Sequence, residues 1–195
     1  EIYEYIKNDI LLIRKNISVN KCNNIIELFN NDQTKKNGEV HGGYRVEIKK
    51  TLDLRISGIP KWQIIDSFLK EKLSIALKKY SNHLVINKII TKIDQYNDTG
   101  YQIQKYEKNI GFYDWHHDFL FQTINNVTSF RIFTFIWYLN DVKEGGETCI
   151  TNDIKIKPIA GTLLLFPSFI TYTHKGCVPV SNEKYIITGW IYTNQ

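Results

Sequence analysis

Apolar residues recur at helical spacing in two stretches of the first eighty residues and at strand spacing through most of the remaining chain. Val19, Cys22, Ile25, Ile26 and Phe29 form the first stripe, and Ser18, a residue type suited to an N-cap, marks the start of a helix expected to reach about Asn30. A second stripe, Trp62, Ile65, Leu69, Leu73, Ala76, Leu77 and Tyr80, comes after Pro60, which suits a first helical turn. Each stripe has to cover something apolar, and a sheet is the expected partner. Between the stripes, residues 37–44 read as a polar loop with Gly38, Gly42 and Gly43, and residues 46–56 read as strand.

Beyond residue 84 the apolar runs become short and β-rich, separated by turn residues. Strands are expected over 85–93, 101–106, 112–119, 130–139, 148–151, 162–166, 178–180 and 185–192. Regularly spaced strands after a helical preface predict an α+β, mainly β fold, a double-layered sheet with the N-terminal helices packed on one face. No repeat, low-complexity segment or linker interrupts the 195 residues. The chain therefore reads as a single domain, 1–195, with a helical preface of about 1–83 and a β core of about 84–195.

Composition removes several function classes. A hydrophobic fraction of 43% and a charged fraction of 23% are those of a globular protein, and no apolar run reaches membrane-spanning length. The net charge of +5 comes with heavy use of Lys, Ile and Asn, the mark of an AT-rich genome, viral or bacterial, and without a clustered basic patch it implies no nucleic-acid partner. Cys22, Cys149 and Cys177 are too few and too scattered for a disulfide framework or a zinc knuckle, so a reducing, cytoplasmic compartment is expected. The first residues are too charged for a secretory signal, and a chain without methionine is read as not starting at its translational start.

Candidate chemistry concentrates at His116, Asp118 and His174. On a strand, side chains two apart share a face, so the His-x-Asp pair presents two ligands together, and a distal histidine can close a facial triad. Two imidazoles and a carboxylate on one face of an octahedral ion leave three positions open, the arrangement of non-haem Fe(II) oxygenases. His117 points to the opposite face of a regular strand and is set aside as a ligand. Lys184 follows His174 by ten positions, and on a strand it shares a face with Ile186, Thr188 and Trp190, so its charge needs an anion.

From Tyr106 onward an ordered set of motifs accompanies these residues. They are Tyr-x-x-His-x-Asp at 113–118, Arg-x-x-Thr at 131–134, Tyr-Leu-Asn-Asp-Val at 138–142 and Gly-Gly-Glu-Thr at 145–148, then Gly-Thr-Leu-Leu-Leu-Phe at 161–166, His-x-Gly-Cys at 174–177 and Lys-Tyr at 184–185. In order and separation this set resembles the Fe(II)- and 2-oxoglutarate-dependent dioxygenases of the prolyl 4-hydroxylase superfamily over roughly the C-terminal half of the chain. The resemblance implies a double-stranded β-helix (jelly-roll) core, with Lys184 binding the distal carboxylate of 2-oxoglutarate. Tyr106 and Thr148 become further co-substrate contacts, with Thr134 and Tyr138 in reserve. Tyr113, Arg131 and Trp190 match substrate-facing positions, although strict alternation puts Tyr113 opposite His116 and requires a bend near Gly111 or Trp115. Cys177 is read as a small buried residue rather than a fourth ligand. Trp115, where proline is frequent, and Cys149-Ile150, where Phe-Pro is frequent, depart from the family pattern and bear on the substrate.

The implied function is hydroxylation with Fe(II), 2-oxoglutarate and O2, and with ascorbate as a further candidate cofactor. A peptide or protein substrate is expected, peptidyl proline first, with lysyl, other peptidyl or small-molecule substrates as alternatives. A silent jelly-roll binding module would not need the complete ligand set, and a zinc hydrolase would have no use for Lys184. The segments expected to decide the substrate, 119–129 and 35–44, carry no readable motif.

Overall fold

Both apolar stripes fold as their spacing predicts in the computed structural model, which describes residues 1–93, 95–124 and 127–194. Helix α1 spans Val19–Asn31, and the Ser18 hydroxyl accepts from the Lys21 N–H at its N-terminus. Pro60–Trp62 forms a 3-10 turn that leads into helix α2, Gln63–Ile86. Every residue of the second stripe is buried. The helix overruns the strand expected at 85–93: Leu84 continues the stripe one turn past Tyr80 and is itself fully buried, so tertiary packing extends the helix through Val85 and Ile86. Lys88, at φ 58, then turns the chain away.

The strands are, in chain order, β1 (Ile2–Ile6), β2 (Ile10–Arg14), β3 (Lys36–Asn37), β4 (Lys49–Lys50), β5 (Leu52–Arg55), β6 (Asn97–Asp98), β7 (Gln102–Tyr106) and β8 (Phe112–His116). They continue as β9 (Phe121–Ile124), β10 (Val127–Tyr138), β11 (Thr148–Ile150), β12 (Ile154–Ile156), β13 (Leu163–Pro167), β14 (His174–Gly176) and β15 (Lys184–Asn194). The larger sheet runs β1-β2-β13-β10-β15-β7-β5-β3, with β6 beside β15 and β9 beside β10; the smaller runs β12-β11-β14-β8-β4. This is the expected jelly roll.

Several expectations need correction. The preface is not purely helical, because the β1–β2 hairpin joins the larger sheet through β13. Ile10 to Ile13 are all buried, so this stretch lacks the alternation that reveals a half-exposed strand. The run 46–56 divides into β4 and β5, which belong to different sheets. Residues 178–180 form no strand and only bridge Gly145 through Pro179. Most of 119–129 is the β9–β10 hairpin; Asn125 and Asn126 lie outside the described residues.

The faces of the larger sheet are cleanly divided. Phe133, Phe135 and Trp137 of β10, Tyr185 and Ile187 of β15, and Leu163 and Leu165 of β13 pack with the helical stripes in one apolar core. Ile136, Tyr138, Ile186, Leu164 and Phe166 point the other way, to a second core between the sheets. Two polar pins cross the first core's margin: Trp137 Nε1 donates to Asn16 Oδ1 at 2.7 Å, and Trp62 Nε1 to Asp32 Oδ2 at 2.8 Å. Gly161 holds the Asn16 segment in place, accepting from the N–H groups of Asn16 and Ile17; at φ +75, with Ile17 O only 2.0 Å from where a Cβ would sit, no other residue fits. Because Leu69 is fully buried in the first core, Leu69→Ala should lower stability by about 2–5 kcal/mol in urea unfolding, through lost transfer energy and a residual cavity.

Candidate active site

The small sheet carries two of the candidate ligands, His116 at the end of β8 and His174 at the start of β14, and a bulge aims them; the strand expected at 112–119 ends at His116, so Asp118 reaches the site from the chain just beyond it. His174 on β14 pairs directly with His116 on β8, but two positions later Gly176 pairs with Tyr113, so β8 holds one extra residue between the pairs. This is the bend that the sequence required, located at Asp114–Trp115. It turns Tyr113 to the same side as His116, and their rings stack with centroids 3.5 Å apart and planes 13° apart.

His116, Asp118 and His174 each offer a ligand atom, all within 4.8 Å of one another. His174 Nε2 lies 3.3 Å from Asp118 Oδ2, and His116 Nε2 lies 3.7 Å from Asp118 Oδ1. Each ring is held from behind: His116 Nδ1 lies 2.7 Å from the Asp114 carbonyl and His174 Nδ1 3.1 Å from the Tyr172 carbonyl. A carbonyl can only accept, so both Nδ1 atoms carry a proton and both Nε2 atoms, on the side of the common centre, are the ones that can bind a metal. Thr134 Oγ1 donates to Asp118 Oδ2 at 2.8 Å and also touches Ser168 Oγ at 2.9 Å. Thr134, the reserve co-substrate contact, thus orients the carboxylate. His117 is exposed at the cavity mouth, outside the cluster.

Electrostatics favour a cation at this centre. Burial opposes the charge of Asp118, yet the two histidines, His174 foremost, hold its pKa far below the usual carboxylate range. Burial and the neighbouring His174 push His116 down to about 4. Burial also opposes charge on His174, but Asp118 outweighs it and raises the pKa. Asp118 is thus held ionised and favours positive charge beside it, which a divalent ion at the centre would supply.

The ligands open onto a cavity of about 400 Å³ that also reaches Lys184. Lys184 is 1% exposed; its Nζ donates to Gly146 O at 2.9 Å and lies 3.9 Å from the centre of the Tyr106 ring. No carboxylate pairs with it among the described residues, and burial pushes its pKa down to about 8. Gly176 lets Tyr106 lie close, since a Cβ there would come within 2.8 Å of the ring. Tyr106 donates to Gln104 Oε1 at 3.3 Å and lines the cavity with Thr148, whose Oγ1 accepts from Tyr138 at 2.7 Å. Tyr138 is thereby a support for Thr148 rather than a lining group.

Tyr113, Arg131 and Trp190 all line the cavity. The Arg131 guanidinium stacks 3.7 Å above the Trp190 ring. The Trp190 indole N–H is buried with no hydrogen bond of good geometry, though close enough to Asp118 to favour its charge.

Lys49 is a wall residue that the sequence did not single out, with Asp53 buried behind it. Lys49 Nζ meets Asp53 Oδ2 at 2.6 Å, Thr51 Oγ1 donates to Asp53 Oδ1 at 2.7 Å, and Lys49 Nζ sits 5.2 Å from the Tyr113 ring centre. Burial raises the Asp53 pKa in spite of Lys49. The available signal was Lys49, Thr51 and Asp53 at period two, which in isolation reads as the solvated face of a strand.

Comparison with known proteins agrees with this geometry. The profile of the 2OG-Fe(II) oxygenase superfamily matches residues 101–192. Probable prolyl 4-hydroxylase 9 of Arabidopsis thaliana is 31% identical over 125 residues, covering 52% of this chain and 43% of its own length. Prolyl 4-hydroxylase 1 of the same plant is 30% identical, covering 53% of this chain and 44% of its own length. The chain thus spans less than half the length of these relatives. Among solved structures, the prolyl hydroxylase of Trichoplax adhaerens, in complex with a hypoxia inducible factor peptide fragment, superposes with a TM-score of 0.70 at 20% identity, covering 95% of this chain and 84% of that one. The viral collagen prolyl hydroxylase of Paramecium bursaria Chlorella virus-1, in its 2OG complex, gives 0.60 at 21% identity, with 94% and 96% covered.

If the triad is the metal site, His116→Ala should abolish tight Fe(II) or Co(II) binding and His117→Ala should retain it, as measured by metal titration. The His174 pKa is raised, so its proton competes below that value; affinity should fall as pH drops through it, by up to roughly tenfold per pH unit for one displaced proton.

Proposed function

Because the chain belongs to the 2OG-Fe(II) oxygenase superfamily, we propose that it hydroxylates a peptide substrate, proline first, using Fe(II), 2-oxoglutarate and O2 at the cavity bounded by His116, Asp118, His174 and Lys184. The observation that carries this reading is the buried Lys184. A cation 1% exposed and without a carboxylate partner among the described residues is costly in an apolar wall unless a bound anion compensates it. One cavity joins it to the triad, so a dicarboxylate can bring one end to each.

Bound Fe(II) and 2-oxoglutarate would supply the oxidising chemistry, with succinate and CO2 as co-products of substrate hydroxylation. The residues of the chain prepare and confine it. The backbone holds the Nδ1 protons of His116 and His174 and so leaves their Nε2 atoms as the metal-binding ones, and Thr134 fixes the rotation of Asp118. Lys184, Tyr106 and Thr148 bind the co-substrate end, where the charge of Lys184 is fixed in place by Gly146. Tyr113, Arg131 and Trp190 form the substrate-facing rim, and the Arg131–Trp190 stack offers a flat cationic surface with free N–H donors to a peptide backbone. The similarity to prolyl 4-hydroxylases and to a peptide-bound prolyl hydroxylase supports a peptidyl proline. Extended, proline-containing segments also lose little entropy on binding in such a groove. Ascorbate would serve as an auxiliary reductant. No described helix is long and apolar enough to cross a membrane, and three free cysteines accord with a reducing compartment.

Incubation of proline-, lysine- and other peptide libraries with the protein, Fe(II) and 2-oxoglutarate, read by mass spectrometry, tests the substrate: a gain of one oxygen on proline is expected, and a gain confined to lysine peptides would overturn it. Lys184→Ala should raise the KM for 2-oxoglutarate roughly 10- to 100-fold, from loss of a buried charge partner. Arg131→Ala should instead weaken peptide hydroxylation while slow peptide-independent succinate formation persists.

A further inference from the structure

The two cysteines that the sequence left scattered, Cys149 and Cys177, meet on the outer face of the smaller sheet. Their Sγ atoms are 3.2 Å apart, closer than an ordinary sulfur–sulfur contact, and neither is bonded to the other. Cys149 lies on β11, and Cys177 directly follows β14, where its N–H donates to the Glu147 carbonyl. Both sit on the face away from the triad, and both line a shallow second cleft of about 310 Å³ together with Trp115, Glu147, Lys155 and Lys175. Lys175 Nζ lies 5.0 Å above the Trp115 ring. Cys177 is half-buried and open to the cleft, whereas Cys149 is 6% exposed behind it.

We propose that this cleft is a thiol–disulfide exchange site for a small anionic disulfide such as glutathione disulfide, in which Cys177 reacts first and Cys149 closes a cross-strand bond. The Cys177 thiolate attacks one sulfur of the small disulfide, forming a mixed disulfide and releasing one glutathione thiolate, which takes up the proton that Cys177 lost. The Cys149 thiolate then attacks the Cys177 sulfur, releasing the second glutathione in the same way. The protein loses two hydrogens, and glutathione disulfide is reduced to two glutathiones. Lys155 and Lys175 supply the positive charge that glutathione carboxylates require, and Trp115 supplies an apolar floor. Closing the bond needs the sulfurs to approach by little more than an ångström, with a small backbone adjustment because the two residues are diagonal rather than directly opposite in the β11–β14 pairing. Burial and the neighbouring Cys149 push the Cys177 thiol up to about 11, so little thiolate is present at neutral pH and exchange is slow without excess disulfide. Cys22 is fully buried in the helical core and takes no part. The bond would form one residue from Thr148 and one from Gly176, both of which line the main cavity.

The test is incubation of the folded chain with excess glutathione disulfide at mildly alkaline pH, followed by thiol counting after denaturation, intact mass and peptide mapping. Loss of two of the three thiols, a mass lower by about 2 Da and a Cys149–Cys177 linked peptide are expected, all reversed by dithiothreitol. Cys149→Ser should stop at one bound glutathione, and Cys177→Ser should resist modification. Cationic cystamine should react more slowly than glutathione disulfide. Three surviving thiols, a stable glutathione adduct on the unsubstituted chain, linkage between two chains, or faster reaction with cystamine would each overturn the proposal.

Discussion

The pairing of β10 with β15, one long antiparallel ladder from Ser129↔Asn194 to Tyr138↔Ile186, is the contact from which the rest of the molecule is organised. A strand has two faces, and here they are given opposite tasks. Odd positions of the β10 run, Phe133, Phe135 and Trp137, are committed to the helices, which frees Thr134 and Ile136 for the interior. On β15, Tyr185 and Ile187 do the same for Lys184, Ile186 and Thr188. A slip of one residue would exchange the two sets, placing Lys184 in the helical core and Trp137 in the cavity. The apolar core thus fixes the register of the cavity-lining groups.

Within that frame the cavity holds more buried charge than a domain of this size needs for stability. Lys49 and Asp53 neutralise each other, and His174 lies 3.3 Å from Asp118 and favours its charge. Lys184 alone has only a carbonyl acceptor and an aromatic face among the described residues. Such groups persist in a fold when something outside the chain completes them. The charge left over is positive, at Lys184, while the triad gathers three ligand atoms around one point, so an anion at the first and a cation at the second would complete the cavity.

Much of this was legible in the sequence where a single period governed. The stripe from Trp62 to Tyr80 and the alternation along β10 both arise from what one face must bury. The triad was readable because His116 and Asp118 are close in sequence and the ordered motifs bring in His174. The β1–β2 hairpin was not readable, since Ile10 to Ile13 are buried on both faces and carry no alternation. Strand 85–93 failed because β-branched residues at a helix end give way to the packing of Leu84. The Tyr113–His116 stack depends on one extra residue in β8, a feature of pairing and not of composition. Lys49 and Asp53 looked solvated because nothing local reveals that β4 and β5 diverge into different sheets around them.

The hairpin that escaped detection has a protective role for the central sheet. β13, Leu-Leu-Leu-Phe-Pro, is buried along its whole length, and β2 occupies its outer edge through the pairs Leu163↔Ile13 to Leu165↔Leu11. β2 is in turn covered by β1, whose burial alternates and whose Glu4 pairs with Arg14. Removal of the first fourteen residues would turn an interior strand of aliphatic residues into a free edge able to recruit the same strand from another molecule. Trimming the N-terminus would therefore be felt first as self-association and poor solubility, with the ligand cluster on the smaller sheet still in place.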